Sequence, residues 1–244
     1  MHDILDEFRA FAAPVWTLYE RHPWIEALAE GTLTTAQFVR FQIEDRAHVV
    51  DYNRVLALGI ARAGPAEPWA DTAAAILSGQ STGQELAEKE ALIAELGGTS
   101  DQVPDRWSCS PAREGYVNHL VRTAHEGDLL DIATALYPCS LFTQVIGARL
   151  RDVDVPGPEP FGRWAAVYTR STRTQMCSQH ARVIVEAAGS IAPARRAVLA
   201  RIYRRSLEHQ VRVFDAAFTG EDGWPGSERP LDQKPCTSAR HSTG

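Results

Sequence analysis

Apolar residues recur along this chain at intervals of three and four, the period of an α-helix that buries one face. No stretch alternates apolar and polar residues with β-branched enrichment over a strand's length. The period predicts a first helix over about 4–20, broken at His22-Pro23-Trp24 and followed by a short apolar segment to Leu28. Gly31-Thr32-Leu33-Thr34 reads as a loop that caps a long helix over about 35–63, which Gly64 and Pro65 end. A second long helix is expected over about 67–96, then a loop over about 99–110. Helices over about 111–126 and 129–151 follow, and three prolines and a glycine make 153–160 a stiff linker. Two or three helices fill the stretch from Phe161 to Phe218. From Thr219 onward Gly, Pro, Ser and charged residues dominate, so 219–244 reads as a disordered tail. The expected fold class is all-α, with 1–218 as one helical domain and no internal repeat.

Polar residues interrupt three of the apolar stripes. The helix over about 35–63 carries Phe38, Phe41, Asp45, His48, Tyr52 and Val55 on one face. Phe and Val at its ends turn this face inward, so Asp45 and His48 stand where core residues belong. A buried, unpaired carboxylate is strongly destabilising, so Asp45 needs a partner or a polar cavity. Either a buried Asp–His pair that sets helix packing or the wall of a pocket satisfies that need. The helix over about 129–151 carries Ile132, Leu136, Cys139, Thr143, Ile146 and Leu150, with Pro138 among them. Proline removes a backbone hydrogen bond and predicts a kink. A thiol at the start of the half-helix beyond the kink would be biased toward thiolate; the alternative is a small core cysteine. The last stripe is Leu199, Tyr203, Leu207, Val211, Phe214 and Phe218, with Gln210 at its edge. Tyr116, Trp164 and Tyr168 are ordinary core residues singly, but together with these groups they suit an aromatic, hydrogen-bonding cavity.

Composition narrows the function classes. The chain has 244 residues, 44% hydrophobic and 23% charged, enough for one large core. A net charge of −6 without a basic block argues against nucleic acid or an anionic membrane surface as partner. No apolar run reaches the roughly 18–20 residues of a membrane span. The start from Met1 to Glu7 is acidic and amphipathic, unlike a signal peptide, so a cytoplasmic location is expected. Cys109, Cys139, Cys177 and Cys236 form no metal knuckle and read as reduced thiols. Neither a cofactor nor a metal is expected. A metal-dependent oxidase would need Glu44, His48, His119, His180 and His209 to converge, leaving Asp45 and Cys139 without a use.

The residues also resemble a family. His22-Pro23-Trp24, Leu28, Gly31-Thr32-Leu33, Phe38, Phe41, Asp45 and Tyr52 are similar to the opening of TenA proteins (thiaminase II, haem-oxygenase-like fold). Tyr116, Leu136-Tyr137-Pro138-Cys139, Trp164, Tyr168, Ser206 and Phe214-Asp215-Ala216-Ala217-Phe218 continue the match, which covers roughly 5–218. The resemblance implies a haem-oxygenase-like helical bundle, a homotetramer, and hydrolysis at the aminomethyl carbon of thiamin or a related aminopyrimidine. It implies Cys139 as nucleophile, Asp45 as the anchor of the pyrimidine amino group, and Tyr116 and Tyr168 as pocket residues; Tyr52 belongs to the same wall.

The chain departs from the family at the remaining pocket positions. His48 and Thr143 stand where the family usually has Tyr. His209 and Gln210 stand where it has a Tyr-Glu pair whose Glu is the acid/base. Gln hydrogen-bonds but transfers no proton. Glu208 is turned about 200° around the helix from Gln210 and is no substitute. His48 is the residue left that titrates near neutral pH. The expected site is therefore Cys139, Asp45, His48 and Gln210, with Tyr52, Tyr116, Thr143 and Tyr168 binding substrate. The competing readings are a non-catalytic binder of a pyrimidine-like ligand with a regulatory role, and a hydrolase with a shifted substrate.

Overall fold

The structure is a computed structural model that describes residues 3–79, 82–98, 109–169 and 174–225. Among these residues the regular elements are all helices: α1 (Ile4–Phe11), α2 (Ala13–Glu20), α3 (Pro23–Glu30), α4 (Thr35–Arg62), α5 (Pro68–Gly79), α6 (Thr82–Glu95), α7 (Pro111–Glu126), α8 (Leu129–Leu150), α9 (Glu159–Thr169), α10 (Thr174–Ala187) and α11 (Pro193–Thr219).

Local chemistry sets the ends. Thr34 accepts from the Gln37 amide while the Gln37 side chain accepts from Thr34, a reciprocal cap that starts α4. Asp128 and Asp131 do the same for α8, and Arg195 from α11 clamps both carboxylates. Gly31 ends α3 with φ 75°, and a Cβ there would collide with Pro156 in the 153–160 linker.

Two expected helices are each divided. The stretch 4–20 splits at Ala12, because Pro14 sits in the first turn of α2 and brings no amide. The stretch 67–96 is α5 and α6, with Gln80 and Ser81 outside the described residues. Beyond α11 the chain does not leave the surface at once. The Asp222 carboxylate accepts from the Ala112 amide (2.6 Å) and Trp224 Nε1 donates to the Cys109 carbonyl (2.8 Å). Residues 226–244 of the expected tail, and 99–108 of the expected loop, lie outside the described residues. By length and composition α8 could cross a membrane, although no uninterrupted apolar run in it reaches that length; more than half of its most apolar window is packed inside the bundle.

The core has two lobes. One is aromatic and centres on Trp24, which contacts Phe38, Phe41, Trp164 and Phe214. The other gathers Val55, Leu56, Trp69, Tyr116, Leu120, Leu136, Met176 and Val213. Helices α4, α7, α8 and α11 pack on one another; α4, α8 and α11 contribute to both lobes and α7 to the second. The seam between the lobes is where the polar stripe residues meet.

Candidate active site

A cavity of about 460 Å³ opens at this seam, with Phe41, Phe142 and Phe214 from one lobe and Tyr116, Met176 and Val213 from the other. Helix α4 brings Asp45, His48 and Tyr52 to its wall. Helix α7 brings Arg113 and Tyr116, α8 brings Cys139 and Thr143, α9 brings Tyr168 and α11 brings Gln210. All eight residues singled out from sequence therefore line one space. Each arrives there because its apolar neighbours one helical turn away anchor the same face in the core.

The Cys139 sulfur lies 3.5 Å from His48 Nε2. The Tyr116 hydroxyl hydrogen-bonds to the same sulfur, and its oxygen accepts from Gln210 Nε2 at 3.1 Å. His48 stacks flat on Tyr116, with centroids 5.4 Å apart and planes 7° apart. Behind Tyr116, His209 stacks at 6.0 Å, and His119 stacks on His209 at 5.3 Å. His209, which stands where the family has the Tyr of its Tyr-Glu pair, thus backs the pocket ring and does not line the cavity. Glu208 pairs with Arg204 and Arg205 and is likewise not on the cavity wall.

The electrostatics follow from burial. Burial, assisted by the Arg113 charge and opposed by Asp45, pushes His48 down to about 3. The imidazole is therefore neutral at pH 7 and its Nε2 faces the thiol. Burial also raises Tyr116 well above the phenol range, which keeps its proton on as a donor. For Asp45 burial alone would raise the pKa. The Lys89 ammonium 2.5 Å from one oxygen and the Arg113 guanidinium 3.8 Å from the other outweigh it, and hold the carboxyl well below its usual range. Helix α8 runs on through Pro138. With no fresh half-helix after the proline, Cys139 gains no new set of free amides; its surroundings are His48 and Tyr116.

Two residues of this site were not singled out from sequence. Lys89 comes from α6, and no spacing on α4 announces it. Arg113 had a visible signal, since it lies three residues before Tyr116 on the inward face of α7. The candidate ligands of a metal-dependent oxidase are dispersed. Glu44 accepts from Ser110, His180 accepts from Trp69 Nε1, and His119 bonds Ser206. Among the described residues no three His, Cys, Asp or Glu side chains are grouped to hold a metal.

Residues 9–220 match the TENA/THI-4/PQQC family. The chain belongs to that family. Aminopyrimidine aminohydrolase of Halalkalibacterium halodurans is 22% identical over 210 residues, 85% of this chain and 92% of the relative. A TenA homologue from P. horikoshii OT3 superposes with a TM-score of 0.73 at 20% identity, over 90% of this chain and all of that one. A domain of unknown function with a haem-oxygenase-like fold from Shewanella denitrificans OS217 gives 0.65 at 14% identity, over 90% and 94%. The fold is therefore the haem-oxygenase-like bundle. Its family residues outside the cavity have plain structural work. His22 accepts from the Trp24 amide through Nδ1, which leaves Nε2–H to donate to Asp215 (3.2 Å) and ties α3 to α11.

Proposed function

We propose that this chain is a thiaminase II-type hydrolase that acts on thiamin or a related aminopyrimidine. The observation that carries the reading is the Cys139–His48 pair, 3.5 Å apart in a cavity of about 460 Å³, roomy enough for a substituted pyrimidine. The names of relatives such as the Halalkalibacterium halodurans aminohydrolase support the substrate class.

In this reading His48 takes over the proton transfer for which Gln210 is unsuited. Neutral His48 Nε2 accepts the Cys139 proton, and the Tyr116 hydroxyl steadies the thiolate. Gln210 fixes that hydroxyl by donating to its oxygen. Asp45 accepts from the ring amino group and orients the pyrimidine. The thiolate adds to an electron-poor ring carbon, and the ring electrons expel the nitrogen from the aminomethyl carbon. The imidazolium gives that nitrogen its proton. Water then adds at the same carbon and the thiolate departs, recovering its proton through His48. The balance for the simplest substrate is aminomethylpyrimidine plus water giving hydroxymethylpyrimidine plus ammonia. Thr143, where the family carries Tyr, leaves room beside the ring, with Tyr52 and Tyr168 completing the wall.

Purified protein is to be offered thiamin and 4-amino-5-aminomethyl-2-methylpyrimidine, with Cys139→Ala as control. Turnover that falls to background in Cys139→Ala is the expected result, and unchanged turnover would overturn the nucleophile. Gln210 in place of a carboxylate favours the second reading, a binder; thermal stabilisation by the pyrimidine without ammonia release would support it. By the same family likeness we assign the protein to the cytoplasm and to a homotetramer, the latter checked by light scattering on the eluted peak.

A further inference from the structure

The mechanism above leaves one buried charge without employment. Arg113 is 3% exposed, yet it lines the cavity. Its Nε is buried with no hydrogen-bond partner among the described residues. Among the described residues its one ion pair is the contact with Asp45 at 3.8 Å, too long for a hydrogen bond. Asp45 meanwhile holds Lys89 at 2.5 Å, so the closer cation already answers that carboxylate. A guanidinium has five donors in a planar fork, and a buried one left short of acceptors is strongly destabilising unless a ligand supplies them.

We propose that the substrate carries an oxyanionic substituent, phosphate or carboxylate, which the Arg113 fork binds. This rests on the reading of the cavity as a pyrimidine hydrolase site and adds the substrate's charge to it. The position suits the role. The Arg113 guanidinium carbon lies 5.9 Å from the Tyr116 ring centroid, and His48 stacks on that same ring. Arg113 and His48 both neighbour the Tyr116 ring, so an anion held by Arg113 stays in the cavity that contains the Cys139–His48 pair. It also changes the chemistry, because the Arg113 charge is the largest after burial of the causes that depress His48. An anion that neutralises Arg113 makes His48 a stronger base when substrate is bound. Lys89 lies within reach of the same region through Asp45.

Two measurements on the full chain test this. Calorimetry compares 4-amino-5-hydroxymethyl-2-methylpyrimidine with its phosphate ester and with 4-amino-2-methylpyrimidine-5-carboxylate. The expected result is binding of one charged compound at least about tenfold tighter than the neutral one; the better of the two distinguishes phosphate from carboxylate. The advantage is expected to vanish in Arg113→Gln and to shrink in Arg113→Lys, which keeps the charge but loses the fork. Separately, iodoacetate and iodoacetamide compete for Cys139, with peptide mass mapping as readout and glutathione as reference. Cys139 is expected to favour the anionic reagent by about tenfold over glutathione, and Arg113→Gln to lose that bias. Equal binding of neutral and charged pyrimidines, or a bias that survives Arg113→Gln, overturns the proposal. If Arg113→Gln does not fold, the wild-type comparisons and Arg113→Lys decide. Turnover of the neutral aminopyrimidine with no charge preference would sink this inference and leave the hydrolase standing. An anion bias at Cys139 together with no binding of any of the three pyrimidines would sink the hydrolase reading and leave Arg113 as an anion site.

Discussion

Cys139 touches two residues that change what its sulfur does, His48 on α4 and Tyr116 on α7. The neutral imidazole is the feature that distinguishes this pocket from one with Tyr at position 48. Since His48 titrates at about 3, it supplies no acid limb to kcat/KM between pH 5 and 8. The expected profile is flat on its acid side over that range, and a limb near 6.5 that disappears in His48→Gln would contradict the assigned environment. Gln210→Glu restores a proton carrier beside the ring and is expected to raise hydrolysis of the neutral aminopyrimidine. In the present geometry Gln210 donates to Tyr116. A carboxylate there must accept instead, so a fall in rate would show that the Tyr116–Cys139 bond matters more than the recovered acid. Both variants are scored by steady-state kinetics. Asp45, His48 and Cys139 were visible in sequence as polar residues on apolar stripes. Lys89 was not, because the contact that makes it part of the site joins two helices 44 positions apart.

Helix α4 carries the site, and one residue outside the cavity decides how closely it packs on α5. Gly59 lies against the outer edge of the Trp69 ring, whose indole donates to His180 at 2.9 Å. A Cβ at position 59 would overlap the ring. The ring is held by its own hydrogen bond, so the overlap cannot be relieved by a flexible end. Gly59→Ala is expected to destabilise by about 1–3 kcal/mol, despite alanine's better helix propensity. Gly162→Ala in α9 meets nothing within 4 Å and is expected to be neutral or stabilising by up to about 1 kcal/mol. Urea unfolding of the pair isolates the packing contribution. The starts of α4 and α8 were legible, since Thr34/Gln37 and Asp128/Asp131 cap them through neighbours in sequence. The division of α1 from α2 was not, because the apolar period continues across Ala12 and only the missing amide of Pro14 interrupts the ladder.

Over the whole molecule, buried histidines dominate the response to acid. His48 and His180 titrate at about 3 and His119 and His209 at about 4, each lowered first by burial. In the unfolded chain they take up protons near 6.5, so the unfolded state binds more protons between that value and 3–4. Stability is therefore complete above about pH 6.5 and falls on acidification, by about 1.4 kcal/mol per pH unit for a fully buried group such as His180. Asp45, held low by Lys89 and Arg113, adds to the loss below its unfolded pKa near 4. Urea midpoints at pH 7.5, 6 and 5 are expected to decline in that order. His180→Phe is expected to flatten the decline while lowering stability at every pH, because Trp69 Nε1 loses its acceptor. An unchanged slope in that variant would remove His180 from the explanation.

The sequence by itself determined the helical class, most helix limits and which polar residues turn inward, because all three follow from a local period and from caps within four residues. It also carried the family likeness, in residues whose order is as informative as their identity. Only the tertiary structure decided that Cys139 meets His48, that Gln210 serves Tyr116, and that Asp45 is already answered by Lys89. Those contacts depend on which helix faces meet across the seam between two core lobes. The charge left over at Arg113 is a property of that meeting, since burial and pairing are decided by neighbours far along the chain.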